Sequence, residues 1–300
     1  MKKKILALLT ASVMVLGVAA CSSSTEETTT EGETTEETTE EASGMTGAIS
    51  VISREEGSGT RGAFVELMGV VDEDDNDITT VNAEITNSTS VMLTTVAGNP
   101  AAIGYVSLGS LSDEVKAIKV DGVAATVEDI NNGTYKVARP FLVAYKDGSL
   151  TDVAQDFLNF IMSDDGQAII NEEGYISVAE GNTYTASGMS GRIVLAGSTS
   201  VSPVMEVLAD AYKALNPDVT IEIQQTGSGA GITSAIEGVC DFGMSSRALT
   251  DEEAAELVNT QIATDGIAVV VNNENPVEDM TSDQIKGIYL GEITDWSEIQ

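Results

Sequence analysis

Three hundred residues are enough for about two domains, each with a sizeable core. Forty-eight acidic side chains against 14 basic ones leave a formal charge of −34, which argues against nucleic acid and against electrostatic docking on anionic lipid. Histidine is absent and cysteine occurs only at Cys21 and Cys240, which excludes a Ser-His-Asp triad, a Cys-His dyad, a His-ligated metal, a disulfide framework and a thiolate zinc cluster.

The chain opens with a targeting pattern. Lys2, Lys3 and Lys4 form a positive region, residues 5–18 form an apolar one, and Leu16-Gly17-Val18-Ala19-Ala20 lead into Cys21. The apolar run is shorter than the roughly 20 residues of a membrane span, so residues 1–20 read as a signal peptide. Small residues followed by cysteine resemble the lipobox of bacterial lipoproteins, which implies a lipid-anchored Cys21 on the extracytoplasmic face of the cell membrane. Residues 21–45 are almost entirely Ser, Thr and Glu and cannot bury enough surface to offset ordering entropy. They read as an extended acidic tether.

Beyond the tether, β-branched runs alternate with helical patterns, the mark of an α/β fold with mostly parallel sheets. Strands are expected over 48–53, 192–196, 219–224 and 266–272, and helices over 150–173, 201–215, 232–237 and 250–258. The acidic run 72–77 lacks the spacing of a calcium loop and reads as solvated. Cys240 reads as a small buried hydrophobe, and Trp296 and Tyr289 as packing or rim residues.

The strand-to-helix turns share one chemistry. Arg54 to Arg61 contain Ser58, Gly59 and Thr60; the others are Gly197-Ser198-Thr199-Ser200, Thr226-Gly227-Ser228-Gly229 and Met244-Ser245-Ser246-Arg247. Glycine lets backbone approach closely, and unpaired N–H groups with the helix dipole favour an anion. Three of the five arginines, Arg54, Arg61 and Arg247, stand at these helix starts, where the dipole disfavours a cation unless an anion joins it. No P-loop, dinucleotide fingerprint or nucleophile elbow is present, so neither a cofactor nor catalysis is expected.

Five segments, AGSTSVSP (196–203), QTGSGAGI (225–232), DFGMSSRAL (241–249), DGIAVVVN (265–272) and SREEGSGTRGAF (53–64), closely resemble the phosphate-binding lipoproteins of ABC transporters. With residues 157–178 and 284–296 the likeness covers nearly all of 47–300. The family usually begins with the AGSTS strand and reaches SREEGSGTR near its middle. Here the order is exchanged, so the chain resembles a circular permutant with 181–191 bridging the old ends; a truncated tandem is the alternative.

The resemblance implies a type II periplasmic-binding-protein fold: two α/β domains, two crossover strands and a ligand cleft. One domain would be continuous over 136–273 and the other built from 47–135 plus 274–300, with crossovers near 136–141 and 269–274. It further implies capture of inorganic phosphate and delivery to an ABC permease by a monomer. The alternatives are a phosphate sensor, a surface interaction lipoprotein or binding of another tetrahedral oxyanion. Carried over by residue, Thr199 and Ser200 match the first phosphate loop, Ser228 the second, Ser246 the third, and Arg54, Ser58, Gly59 and Thr60 the fourth, with Arg61 and Arg247 beside them. The best-known relatives have an aspartate proton acceptor where this chain has Ser246, and Asp265 is the expected substitute.

Overall fold

The computed structural model describes residues 45–74 and 76–299, and the expected signal segment, Cys21 and the tether through residue 44 lie outside them. The first elements are β1 (Ser50–Arg54), α1 (Gly59–Met68), β2 (Glu84–Thr86), α2 (Thr89–Ala97), β3 (Ala102–Ser107), β4 (Val115–Ala117) and β5 (Lys119–Val120). Next come α3 (Val127–Asn131), β6 (Ala138–Tyr145), α4 (Asp152–Ile161), α5 (Asp164–Glu172), β7 (Ser190–Gly197) and α6 (Ser202–Leu215). The chain closes with β8 (Asp218–Gln225), α7 (Ser228–Glu237), β9 (Phe242–Ser245), α8 (Asp251–Glu256), β10 (Val258–Asn272), β11 (Asp279–Met280) and α9 (Ser282–Leu290).

The strands follow the order β2-β1-β3-β10-β6-β9-β7-β8, with β4 also on β10 and a separate pair β11-β5. β1 pairs in parallel with β2 and β3, and β7 in parallel with β8 and β9. The expectation of mostly parallel sheets fails at the centre, where β10 is antiparallel to β3, β4 and β6, and β6 to β9. The physical reason is that β6 and β10 run in opposite directions through the middle of the order.

Two cores sit along this order. One gathers Phe141, Val143, Phe157, Phe160, Ile193, Leu195, Leu208, Tyr212 and Ile262; the other gathers Phe64, Tyr105, Ile118, Val137, Ile267, Val269, Val271, Ile288 and Trp296. A third, smaller cluster holds Ile52, Met92, Val96, Ala268 and Val270. Alternate side chains of residues 267–271 therefore enter different clusters, as a strand buried on both faces requires. Tyr289 and Trp296 are core residues, their polar tips donating to the Ile52 and Ala101 carbonyls at 3.1 and 3.0 Å.

β10 changes cores within itself. Residues 258–266 pair with β6, and residues 267–271 with β3. The strand expected over 266–272 thus begins eight residues earlier, and the passage expected near 269–274 falls at Gly266–Ile267. An unbroken β-branched run looks the same whichever core it feeds, so the pattern alone could not locate the exchange. Opposite it, Val137 belongs to one core and Phe141 to the other, and Arg139 lies in register with Asp265.

The helix expected over 150–173 is two. Val153, Ala154, Phe157, Leu158, Phe160 and Ile161 bury one face of α4 at helical spacing. Ser163 then accepts from Gly166 N at 3.2 Å and caps α5, and a Cβ at Gly166 would overlap the Phe160 carbonyl. The expected helix at 232–237 starts earlier, at Ser228, and the one over 250–258 is confined to Asp251–Glu256.

The two ends of the described chain meet. Ile49 N donates to Thr294 O at 2.8 Å and Trp296 N to Gly47 O at 2.9 Å. Segment 181–191 is pinned: Tyr184 Oη donates to Asp156 at 2.7 Å, beside Tyr212 Oη, and Gly181 N donates to Asp164 at 2.7 Å.

Candidate functional site

Five strand-to-helix turns converge. In the turn from β7 to α6, Ser198 Oγ accepts from the backbone N–H groups of Ser200 and Val201 at 3.2 and 3.3 Å. In the turn from β8 to α7, Gly227 has φ +87°, a conformation glycine adopts without strain, and delivers Ser228 as the first helical residue. After β9, Ser246 N donates to Ser228 Oγ at 3.2 Å, and Ser198 Oγ donates to Ser246 Oγ at 2.9 Å. From the other half, Ser58 caps α1 and Ser88 caps α2.

The side chains these turns present are buried and interlocked. Arg54, Ser58, Thr60, Thr89, Thr199, Ser200, Ser228 and Ser246 are each less than a tenth exposed. Arg54 Nη2 donates to Thr199 Oγ1 at 3.0 Å, while Thr60 Oγ1 and Ser200 Oγ share a hydrogen bond of 2.9 Å. Gly229 N donates to Gly57 O at 3.0 Å across the same seam. Arg54 is held from behind: Glu55 accepts from its Nε and Nη2 at 2.8 and 2.9 Å, and Tyr105 Oη accepts from its backbone N–H at 3.2 Å. Burial pushes the Tyr105 phenol up to about 12, so it stays protonated.

A guanidinium, the hydroxyls of Thr60, Thr89, Thr199, Ser200, Ser228 and Ser246, and the positive ends of α1, α2, α6 and α7 therefore gather at one buried spot, while Ser58 caps α1 beside it. Burying such groups is costly unless they are satisfied, and hydroxyls with a guanidinium are good partners for an oxyanion. Among the described residues no group of three or more His, Cys, Asp or Glu could hold a metal ion.

Three expected ligand residues are elsewhere. Asp265 is fully buried with Arg139: its Oδ2 accepts from Arg139 Nε and Nη2 at 3.0 and 2.9 Å, and its Oδ1 from Ser107 Oγ at 2.8 Å. Burial pushes the Asp265 carboxyl above its ordinary range while Arg139 and Ser107 pull it down. Its oxygens accept from Arg139 and Ser107 and from no residue of the hydroxyl cluster, so the structure lends the expected proton acceptor no support. Arg61 donates to Asp77 and to the Arg54 carbonyl. Burial works against ionisation of Asp77, but hydrogen bonds from Arg61 and Thr79 hold its carboxyl below the usual value. Arg247 donates to both Glu253 oxygens at 2.7 Å, and those bonds hold the Glu253 carboxyl low. Arg61 and Arg247 instead line a solvent-open cavity of 710 Å³ with Glu56, Ser58, Val65 and Asp77. Cys240 is half-buried, and burial pushes its thiol up to about 11.

Sequence reading missed Thr89. The signal was present, since Asn87-Ser88-Thr89-Ser90 repeats the hydroxyl-rich strand-to-helix grammar. The strand before it has only three residues and leaves no hydrophobic period to recognise.

Gly59 is the tightest point of the cluster. A Cβ there would overlap Ser228 Oγ and stand 2.6 Å from Ser246 Oγ, although the position suits a helix start. Gly59→Ala is expected to hold the two halves apart and weaken anion binding about a hundredfold, with a melting temperature within a few degrees of the parent. Titration calorimetry beside a thermal melt checks both; unchanged affinity would refute the close seam.

The domain model of the PBP superfamily matches residues 23–165 and 182–300. The chain belongs to the PBP superfamily. The phosphate-binding protein PstS 2 of Streptococcus agalactiae serotype V is 47% identical over 305 residues, covering 99% of each chain. The crystal structure of a phosphate-binding protein of a phosphate ABC transporter from Streptococcus pneumoniae TIGR4 superposes with a TM-score of 0.69 at 45% identity, covering 85% of this chain and 100% of that one. The phosphate-binding protein PstS of Bacillus subtilis matches 124 residues at 33% identity, 39% of this chain and 41% of its own. The fold is that of the type II periplasmic solute-binding proteins, a mixed α/β architecture as expected from the sequence.

Proposed function

We propose that this PBP-superfamily chain is an extracytoplasmic solute-binding protein that captures inorganic phosphate between its two halves and delivers it to an ABC permease. The observation that carries the reading is the buried cluster of Arg54 with Thr60, Thr199, Ser200, Ser228 and Ser246, drawn from both halves and joined across the seam. The relatives that align along the whole chain bear phosphate-binding names, which supports the choice of oxyanion. Cys21 is the proposed lipid anchor, and the protein works as a monomer without a cofactor. Among the described residues no helix is long and apolar enough to cross a membrane.

The magnitudes suffice. Micromolar affinity corresponds to about −8.2 kcal/mol. Eight or so hydrogen bonds to a charged ligand, at roughly 1.5–3 kcal/mol each, exceed that after binding costs. Screening near 8 Å at about 0.15 M salt confines the unfavourable net charge to its surroundings.

We also infer that the halves are exchanged in order relative to other phosphate-binding proteins. Support comes from the adjoining ends at Gly47 and Trp296, and from full-length alignment with PstS 2 against a match of 124 residues with the Bacillus protein.

Calorimetry of the protein, unfolded and refolded to strip carried-over ligand, tests the function. Micromolar phosphate binding with a weaker response to sulfate is expected. Absence of heat with phosphate, from protein shown to be folded, would overturn the transport reading in favour of a surface role or another tetrahedral oxyanion.

A further inference from the structure

The Thr89 hydroxyl sits at the first helical position of α2, is less than a tenth exposed, and lies among groups of the proposed phosphate site. Its Oγ1 is 3.3 Å from Thr199 Oγ1, 3.3 Å from Ser200 Oγ and 3.4 Å from Arg54 Nη1. Thr199 and Ser200 belong to the other half, so one hydroxyl of α2 reaches across the seam to two residues of α6's turn. Ser88 caps α2 through Val91 N at 3.2 Å, which leaves the Thr89 side chain free of a capping duty. The first turn of this nine-residue helix carries no acidic side chain to compete for the dipole.

The proton inventory at Thr89 sets its orientation. A threonine hydroxyl has one proton and two lone pairs. Arg54 is donor-only, so its Nη1 takes a lone pair and the hydroxyl proton points away from the guanidinium, on the side of Thr199 Oγ1 and Ser200 Oγ, either of which can also donate to Thr89 and release that proton. We propose that this proton is donated to the bound oxyanion, making Thr89 a fifth-turn ligand residue that helps hold the cleft shut. The inference rests on the phosphate reading of the cluster and adds a contact that comes from neither the Arg54–Thr60 turn nor the three turns of the other half.

Thr89→Val keeps the shape and deletes the hydroxyl; Thr89→Ser keeps the hydroxyl and deletes the methyl. Phosphate affinity by calorimetry is expected to fall about tenfold or more in Thr89→Val, the size of one lost hydrogen bond to a charged group, and to stay within about threefold in Thr89→Ser. A structure of the phosphate complex should place a ligand oxygen within hydrogen-bond distance of Oγ1. Circular dichroism and a thermal melt establish that each variant folds, and Thr89→Ala, which needs no new space, carries the same test if the valine variant melts early. A loss below threefold in a folded hydroxyl-less variant overturns the inference alone. Equal losses in Val and Ser also overturn it, because shape rather than the hydroxyl would then matter. Failure of the parent to bind phosphate removes the phosphate reading and this inference with it.

Discussion

Arg54→Met is expected to weaken phosphate binding at least a hundredfold while leaving a folded protein. The guanidinium is 2% exposed, reaches Thr199 across the seam and is the only buried cation described among the cluster residues. The one guanidinium N–H not already donated can make a charge-assisted hydrogen bond to an anion worth about 1.5–3 kcal/mol, and loss of the cation's attraction adds to it. Glu55 adds to it. With Arg54 gone, the Glu55 carboxylate loses its two donated bonds and turns from partner of the cation into an unneutralised charge near the anion. Glu55 is about a quarter exposed, so water can solvate it and no buried charge is stranded. The ligand-free protein should therefore lose only about 1–2 kcal/mol. Arg54→Lys should recover part of the affinity, because a point charge lacks the planar fork. Calorimetry with phosphate and a melt without it decide the matter: an affinity within tenfold of the parent would show that Arg54 is a structural tie rather than the anion's main partner.

Asp265→Ala is expected to cost about 3–5 kcal/mol of stability and to change phosphate affinity less than about threefold. The variant leaves Arg139 buried without its bidentate acceptor, at the point where β6 and β10 both pass between cores. Arg139 Nη1 already lacks a hydrogen-bond partner, so no spare acceptor stands ready to replace the carboxylate. For a chain of this size the cost corresponds to a fall in melting temperature of about 10 °C. Replacing both partners with apolar residues, Arg139→Met with Asp265→Leu, should restore much of the loss, since it removes the stranded charge. Thermal melts of the three variants test the pair. A large loss of phosphate affinity in folded Asp265→Ala would return Asp265 to the role of proton acceptor.

These two arginine–carboxylate pairs mark where sequence reading worked and where it stopped. Arg54 was legible because it stands in a Gly/Ser/Thr turn between a strand and a helix, where a cation has no intrinsic reason to be. The same argument named Arg61 and Arg247, which line the solvent-open cavity instead and donate to Asp77 and Glu253, 16 and 6 residues away. Asp265 looked available because it ends a polar stretch ahead of a buried strand. Arg139 and Ser107, which donate to its oxygens, are 126 and 158 residues distant and nothing local announces them. Thr89 was hidden for a different reason, since β2 is too short to show a period.

By itself the sequence determined the α/β class and the hydroxyl-rich helix starts, from which we propose the oxyanion chemistry, together with the exchange of halves that we infer from motif order. All of these depend on local patterns: hydrophobic period, glycine at a turn, a hydroxyl at a helix N-terminus. Only the tertiary structure decided which arginine meets the buried hydroxyls, where β10 leaves one core for the other, and that Asp265 belongs to an internal ion pair. Those outcomes turn on which donors and acceptors, far apart in the chain, are brought within about 3 Å of one another and dried together.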